Sequence, residues 1–106
     1  MKYSVKIADN VMKKIEKLPI DRRKKILERL EVLKNNPDIG KLLFRKSYFQ
    51  LRELKISSHR IYFIIERGFI VINNIEYYGV VDVERFGNKN SQDRDINFLK
   101  DKIRKR

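Results

Sequence analysis

The sequence predicts one α+β domain, residues 1–106, in the order β-α-α-β-β-β-β-α: a helical hairpin packed on a mostly antiparallel sheet, with a helix at the C-terminal end. Three observations carry this prediction. Apolar residues alternate with polar ones over residues 2–7. They recur at helical spacing from Val11 to Leu33. From about residue 47 the period becomes strand-like, until a last helical stretch that starts near Gln92 or Asp93. A length of 106 residues suits one domain with one modest core.

Tyr3, Val5 and Ile7 share one face of the first strand. Asp9 or Asn10 is expected to cap the first helix, whose apolar positions are Val11, Met12, Ile15 and Leu18, and Pro19 ends it. Asp21 is expected to cap the second helix. Ile26, Leu27, Leu30 and Leu33 form its apolar stripe; Arg22, Arg23, Lys25, Arg29 and Lys34 form its basic face. Asn35-Asn36-Pro37 stops it. The short link between the helices implies an antiparallel hairpin.

In the strand region, Phe49 and Leu51 are out of phase with Leu54 and Ile56. A one-residue bulge near Arg52-Glu53 would restore the register. Ile61-Tyr62-Phe63-Ile64-Ile65 is apolar without alternation, as in a central strand covered on both faces. Arg67-Gly68 and Glu76-Tyr77-Tyr78-Gly79 read as turns, on either side of a strand Phe69–Ile72 and before a strand Val80–Val83. Ile96, Leu99 and Ile103 keep helical spacing in the last helix. With the hairpin on one face of the sheet, the opposite face is expected to be partly open and basic.

Charge narrows the function classes. Twenty-six Lys and Arg against 14 Asp and Glu give a formal net charge of +12. A field of that sign suits a polyanion, an acidic protein partner or an acidic membrane surface. The chain has no cysteine and one histidine, which argues against a zinc site and against any disulfide. No stretch is long and apolar enough for a membrane span, and residues 1–6 carry no signal-peptide core, so a cytoplasmic protein without membrane contact is expected.

Three local patterns resemble the RelE/ParE toxins, and the HigB-like branch in particular. The first is the opening strand and two helices, with Leu18-Pro19 between the helices and Asn36-Pro37 after them. The second is Leu51-Arg52-Glu53-Leu54 followed by Ser58-His59-Arg60-Ile61-Tyr62. The third is Phe86-Gly87-Asn88-Lys89-Asn90, then Asp95-Ile96 in a helix. The similarity covers nearly the whole chain. It departs from the family pattern at Asn88, which replaces the first of two lysines, and at Glu84, which replaces a frequent histidine. The segment from Phe86 to Ile96 is short, and the hairpin around residues 67–79 is long.

The resemblance implies a RelE-like fold and the toxin of a type II toxin–antitoxin system. Such a toxin is a ribosome-dependent endoribonuclease acting on mRNA without metal or other cofactor, with a cognate antitoxin, mRNA and the ribosome as partners. Cutting RNA this way makes the ribose 2′-OH attack its neighbouring phosphate, and the protein must stabilise oxyanion charge, a task that suits arginine. Arg60 matches the family's strand arginine and is expected at the edge of the exposed face. Arg52 and Lys55 are expected to join it in one phosphate-binding cluster. Arg85 and Lys89 fall where the family places its remaining active-site groups, for RNA binding and, at Lys89, catalysis. Glu84 is the candidate base. His59, next to Arg60 on a strand, is expected to face the other way. Tyr62 is expected in the core, whereas Tyr48, Tyr77 and Tyr78 could stack on bases. Two other readings fit the same residues: a non-enzymatic ParE-like poison of DNA gyrase, and a basic RNA-binding domain without toxicity.

Overall fold

The computed structural model describes residues 2–106. The elements are β1 (Lys2–Ile7), α1 (Asp9–Glu16), α2 (Ile20–Val32), β2 (Lys41–Lys46), β3 (Phe49–Ile56), β4 (His59–Ile72), β5 (Ile75–Gly87) and α3 (Gln92–Arg104), with 3-10 turns at Pro37–Ile39 and Lys89–Ser91. The strands form one sheet in the order β1-β5-β4-β3-β2. Among the described residues only the β1–β5 pair is parallel. The predicted α+β order is therefore observed.

The strands behind that order differ from the expectation. Lys41–Lys46 forms β2, which the sequence reading left out, and the two strands expected at Ile61–Ile65 and Phe69–Ile72 are one 14-residue strand. Arg67-Gly68 is not a turn. Pairing shifts between Arg67 and Ile70, and Gly68, at φ 145°, takes up the bulge within β4. Glu76–Gly79 lies inside β5, and the real turn is Asn73-Asn74, with φ of 51° and 65°. Two consecutive positive φ values define the tight hairpin turn that asparagine tolerates.

The helix caps also differ. Ala8 and Pro19 occupy the N-cap positions of α1 and α2 without side-chain caps. Asp9 and Asp21 sit instead in the first turns, where a carboxylate complements the helix dipole.

β3 runs in unbroken register with β4 from Phe49 to Ile56, so the expected bulge at Arg52-Glu53 is absent. The break in phase has another cause: both faces of the sheet are covered. Leu54 and Ile56 pack with Ile61, Phe63 and Ile65 against Val11, Ile15, Ile26, Leu30 and Leu33 of the helical hairpin. Leu51 points the other way and packs with Tyr62 and Ile64 against Leu99 and Ile103 of α3. The face expected to be open is thus roofed by α3. Each large apolar side chain buried in these cores contributes roughly 1.5–3 kcal/mol before entropy is counted. Ile61–Ile65 is buried at every position, as the sequence predicted for a central strand.

Candidate active site

Strand register fixes the site. Lys55 lies directly opposite Arg60 across β3–β4, and Arg60 lies opposite Gly87 across β4–β5. Next to this row runs a second, Glu53–Tyr62–Arg85, on the same face. Beyond Gly87 the chain turns through Lys89–Ser91 into α3, with the Asn88 side chain accepting from the backbone N–H groups of Asn90 and Ser91. This turn brings the exposed Lys89 close to the Arg60 row.

Arg60 is not at an open edge. Its side chain is 13% exposed, and Nη1 donates to Glu53 Oε1 at 3.3 Å. Glu53 is buried and accepts a second hydrogen bond, from Gln92 Nε2 at 3.1 Å. Arg60 Nε and the Tyr62 hydroxyl are both buried without a hydrogen-bond partner. Burial, and then the Glu53 carboxylate, push the Tyr62 hydroxyl well above its ordinary pKa, so it stays neutral. Asp95, in the first turn of α3, is buried behind this group.

Two basic clefts flank the row. Lys55 lines one of about 230 Å³ with Lys25 and Arg29 of α2. Arg85 lines another of about 250 Å³ with Lys14, Arg94, Asp95 and the ring of Phe98. The Arg85 guanidinium lies 4.1 Å from the centre of that ring, which holds its charge at the cleft mouth. Lys14 and Arg94 escaped the sequence reading. Their helices bring them to β5, and neither carries a local motif.

Other expected members are elsewhere. Arg52 lies on the opposite face from Arg60, because alternation along an unbulged β3 separates it from Glu53 and Lys55. Its guanidinium donates to the Gly40 carbonyl at 2.6 Å and pairs with Asp38 at 3.2 Å, which ties β3 to the Pro37–Ile39 turn. Glu84 is not beside Arg60 either. It is the extra residue of a bulge in β5, between Val83 opposite Phe63 and Arg85 opposite Tyr62, and it binds Lys102 at 2.7 Å. Lys102 and Gln92 are separated along α3 by about 15 Å. His59 lies on the hairpin face against Phe86, ring centres 5.0 Å apart, as alternation required. Burial and then the charge of Arg22 push its pKa down. Tyr62 is in the core as expected, and Tyr48 is exposed at the β2–β3 turn.

An α+β sheet whose parallel edge strand is the first in the chain, with a helical hairpin on one face and a C-terminal helix on the other, defines the class of fold. That fold is RelE-like. The RelE–RelB complex from Pyrococcus horikoshii OT3 contains a chain that superposes with a TM-score of 0.65 at 19% identity, over 84% of this chain and 97% of that one. A free-state double mutant of the E. coli toxin RelE superposes with a TM-score of 0.52 at 24% identity, over 87% and 90% of the two chains. No family model matches the chain, and no curated protein sequence matches it.

Proposed function

We propose that this protein is the toxin of a toxin–antitoxin pair: an endoribonuclease that cuts mRNA on the ribosome without a metal ion and is silenced by an antitoxin. The observation that carries this reading is the row Lys55–Arg60–Gly87, with Arg85 in the adjacent row, between two basic clefts on a protein of net charge +12. The clefts offer basic side chains to the RNA backbone near Arg60, and the ribosome holds the message in line. Arg60 then offers donors to the phosphate oxygens as charge builds on them, with Lys55, Arg85 and the exposed Lys89 side chain adding positive potential. Arg52 has no part in this reading, because its donors already serve Asp38 and Gly40. The antitoxin is expected as an acidic or amphipathic segment over the basic clefts, the helical hairpin or α3. It would protect Lys55 or Lys89 from hydrogen exchange, or displace α3.

One observation favours the second reading, a non-enzymatic poison of DNA gyrase. Neither expected acid–base group reaches Arg60, since Glu84 is engaged by Lys102 and His59 faces the hairpin, and the carboxylate bonded to Arg60, Glu53, is buried and also held by Gln92. One experiment separates the two readings. The purified protein is incubated with programmed ribosomes, with and without a chelator at a level the ribosomes tolerate. Cleavage of the message to 2′,3′-cyclic phosphate ends in both samples supports the ribonuclease. Intact message, together with DNA-damage signalling on induction in cells, supports the poison.

A further inference from the structure

The β4–β5 pair continues past β3 as an arm that ends in the Asn73-Asn74 turn, with β1 beside β5 only as far as Lys2 opposite Tyr77. β3 follows β4 only as far as Phe49 opposite Glu66, with one further hydrogen bond from Arg67 N–H to the Tyr48 carbonyl. Beyond that point Gly68 and Phe69 lie in the bulge and Ile70–Ile72 pair with β5 alone, so the outward N–H and C=O groups of Ile70–Ile72 form an unpaired edge among the described residues. The arm is apolar and exposed: Phe69 at 64%, Val71 at 53%, Ile75 at 55% and Tyr78 at 51%. No lysine or proline guards the edge, and the bulge at Gly68-Phe69 lies before Ile70–Ile72 rather than within it.

Its base is held firmly. Arg67 donates to the Tyr3 hydroxyl at 2.6 Å and to Gln50 at 3.2 Å, pairs with Asp38, and lies over the Tyr3 ring. Tyr3 in turn packs against Tyr78 at 5.9 Å between ring centres. An anchored arm presents its apolar surface without loss of freedom on binding.

Charge decides what the arm fits. Residues 68–84 contain no Lys or Arg, in a chain that has 26 of them in 106 residues. RNA and an acidic partner would find no complementary charge there. Two copies of a +12 protein repel each other over most of their surfaces, and this arm is where they can meet with least repulsion. We propose that two copies of this chain associate through the β4–β5 arm, antiparallel and edge to edge along Ile70–Ile72, about a two-fold axis near Val71. Such pairing satisfies both free edges at once and buries Phe69 and Val71 of each copy.

The test is sedimentation of the full chain over a range of concentrations, and it does not depend on any activity. The wild type should form a concentration-dependent dimer. Phe69→Lys and Val71→Lys each place a charge in the interface twice, and should raise the dissociation constant by about a hundredfold, tenfold per copy. Both sites are exposed, and circular dichroism with melting will show that the variants fold. Because the chain has no cysteine, Val71→Cys should also give a disulfide-linked dimer on mild oxidation, and Ile20→Cys on the exposed face of α2 should not. A wild type that stays monomeric would overturn the proposal. So would a dimer that survives both lysine variants, or one that is lost instead on Ile20→Lys.

Discussion

Glu53 accepts a hydrogen bond from Arg60 at 3.3 Å while only 5% of its own side chain is exposed. The pair makes Arg60 a structural residue as well as a candidate catalytic one, and this changes what its removal does. Arg60→Ala leaves a buried carboxylate without its counter-charge, and removing one partner of such a pair costs on the order of 3 kcal/mol. Loss of a preorganised donor to a developing oxyanion costs about 10²–10³ in rate. The two effects separate in a double variant. Arg60→Ala with Glu53→Gln should recover most of the melting temperature, because no buried charge remains, yet stay inactive on programmed ribosomes. A double variant that cuts mRNA at the parental rate would place the chemistry elsewhere.

Gly87 closes the same row, opposite Arg60, and has no room for a side chain. A Cβ there would collide with Ser91 Oγ and come to 2.5 Å from Asp95 Oδ2. Both belong to the turn and first helical turn that bring α3 onto the sheet. Gly87→Ala should therefore destabilise the protein by about 1–3 kcal/mol, the usual cost of overpacking. The loss should be concentrated in α3, so hydrogen exchange at Leu99 and Ile103 should speed up more than at Ile15 and Ile26. Uniform protection equal to the wild type would contradict this account.

His59 makes stability depend on pH in a predictable direction. Its folded pKa lies below the ordinary value of 6.5, owing to burial first and Arg22 second. The unfolded chain therefore binds the proton more readily, and stability that is full above about pH 7 falls as pH drops through 6.5. His59→Gln removes the titrating group. Melting temperature measured from about pH 7.5 to pH 5 should fall less steeply in the variant than in the wild type. An unchanged slope would mean that other groups govern acid sensitivity.

The sequence made β1, both helices of the hairpin and the start of α3 legible, because each buries one face and so shows a clean period. It hid β2, whose Lys41–Lys46 run has no alternation and lies half-exposed at the sheet edge. The misplacement of Arg52 has a definite origin. Leu51 and Leu54 fall on opposite faces because each face has its own core. Periodicity cannot tell a strand with two cores from a strand with a bulge. Assuming a bulge moved Arg52 to the side of Arg60, whereas straight alternation keeps Lys55 there and sends Arg52 to Asp38. Arg60 itself was legible as a position but not as a partner. Its bond to Glu53, seven residues earlier, depends on hairpin register, and Gln92 reaches Glu53 only through tertiary packing.

The parallel pairing of β1 with β5 sets when this protein can fold. Tyr3 must wait for Gly79, and Ile7 for Val83, before either has its neighbour. The first strand made is thus among the last to be completed, and α3, which shields Leu51, Tyr62 and Ile64, is made later still. Contacts so distant along the chain slow folding, because the loop must close before any reward arrives. The hairpins β2–β3, β3–β4 and β4–β5 join neighbours in the chain and can pair as they are made, whereas β1 waits for β5. The row Lys55–Arg60–Gly87 is complete only once β5 has paired with β4.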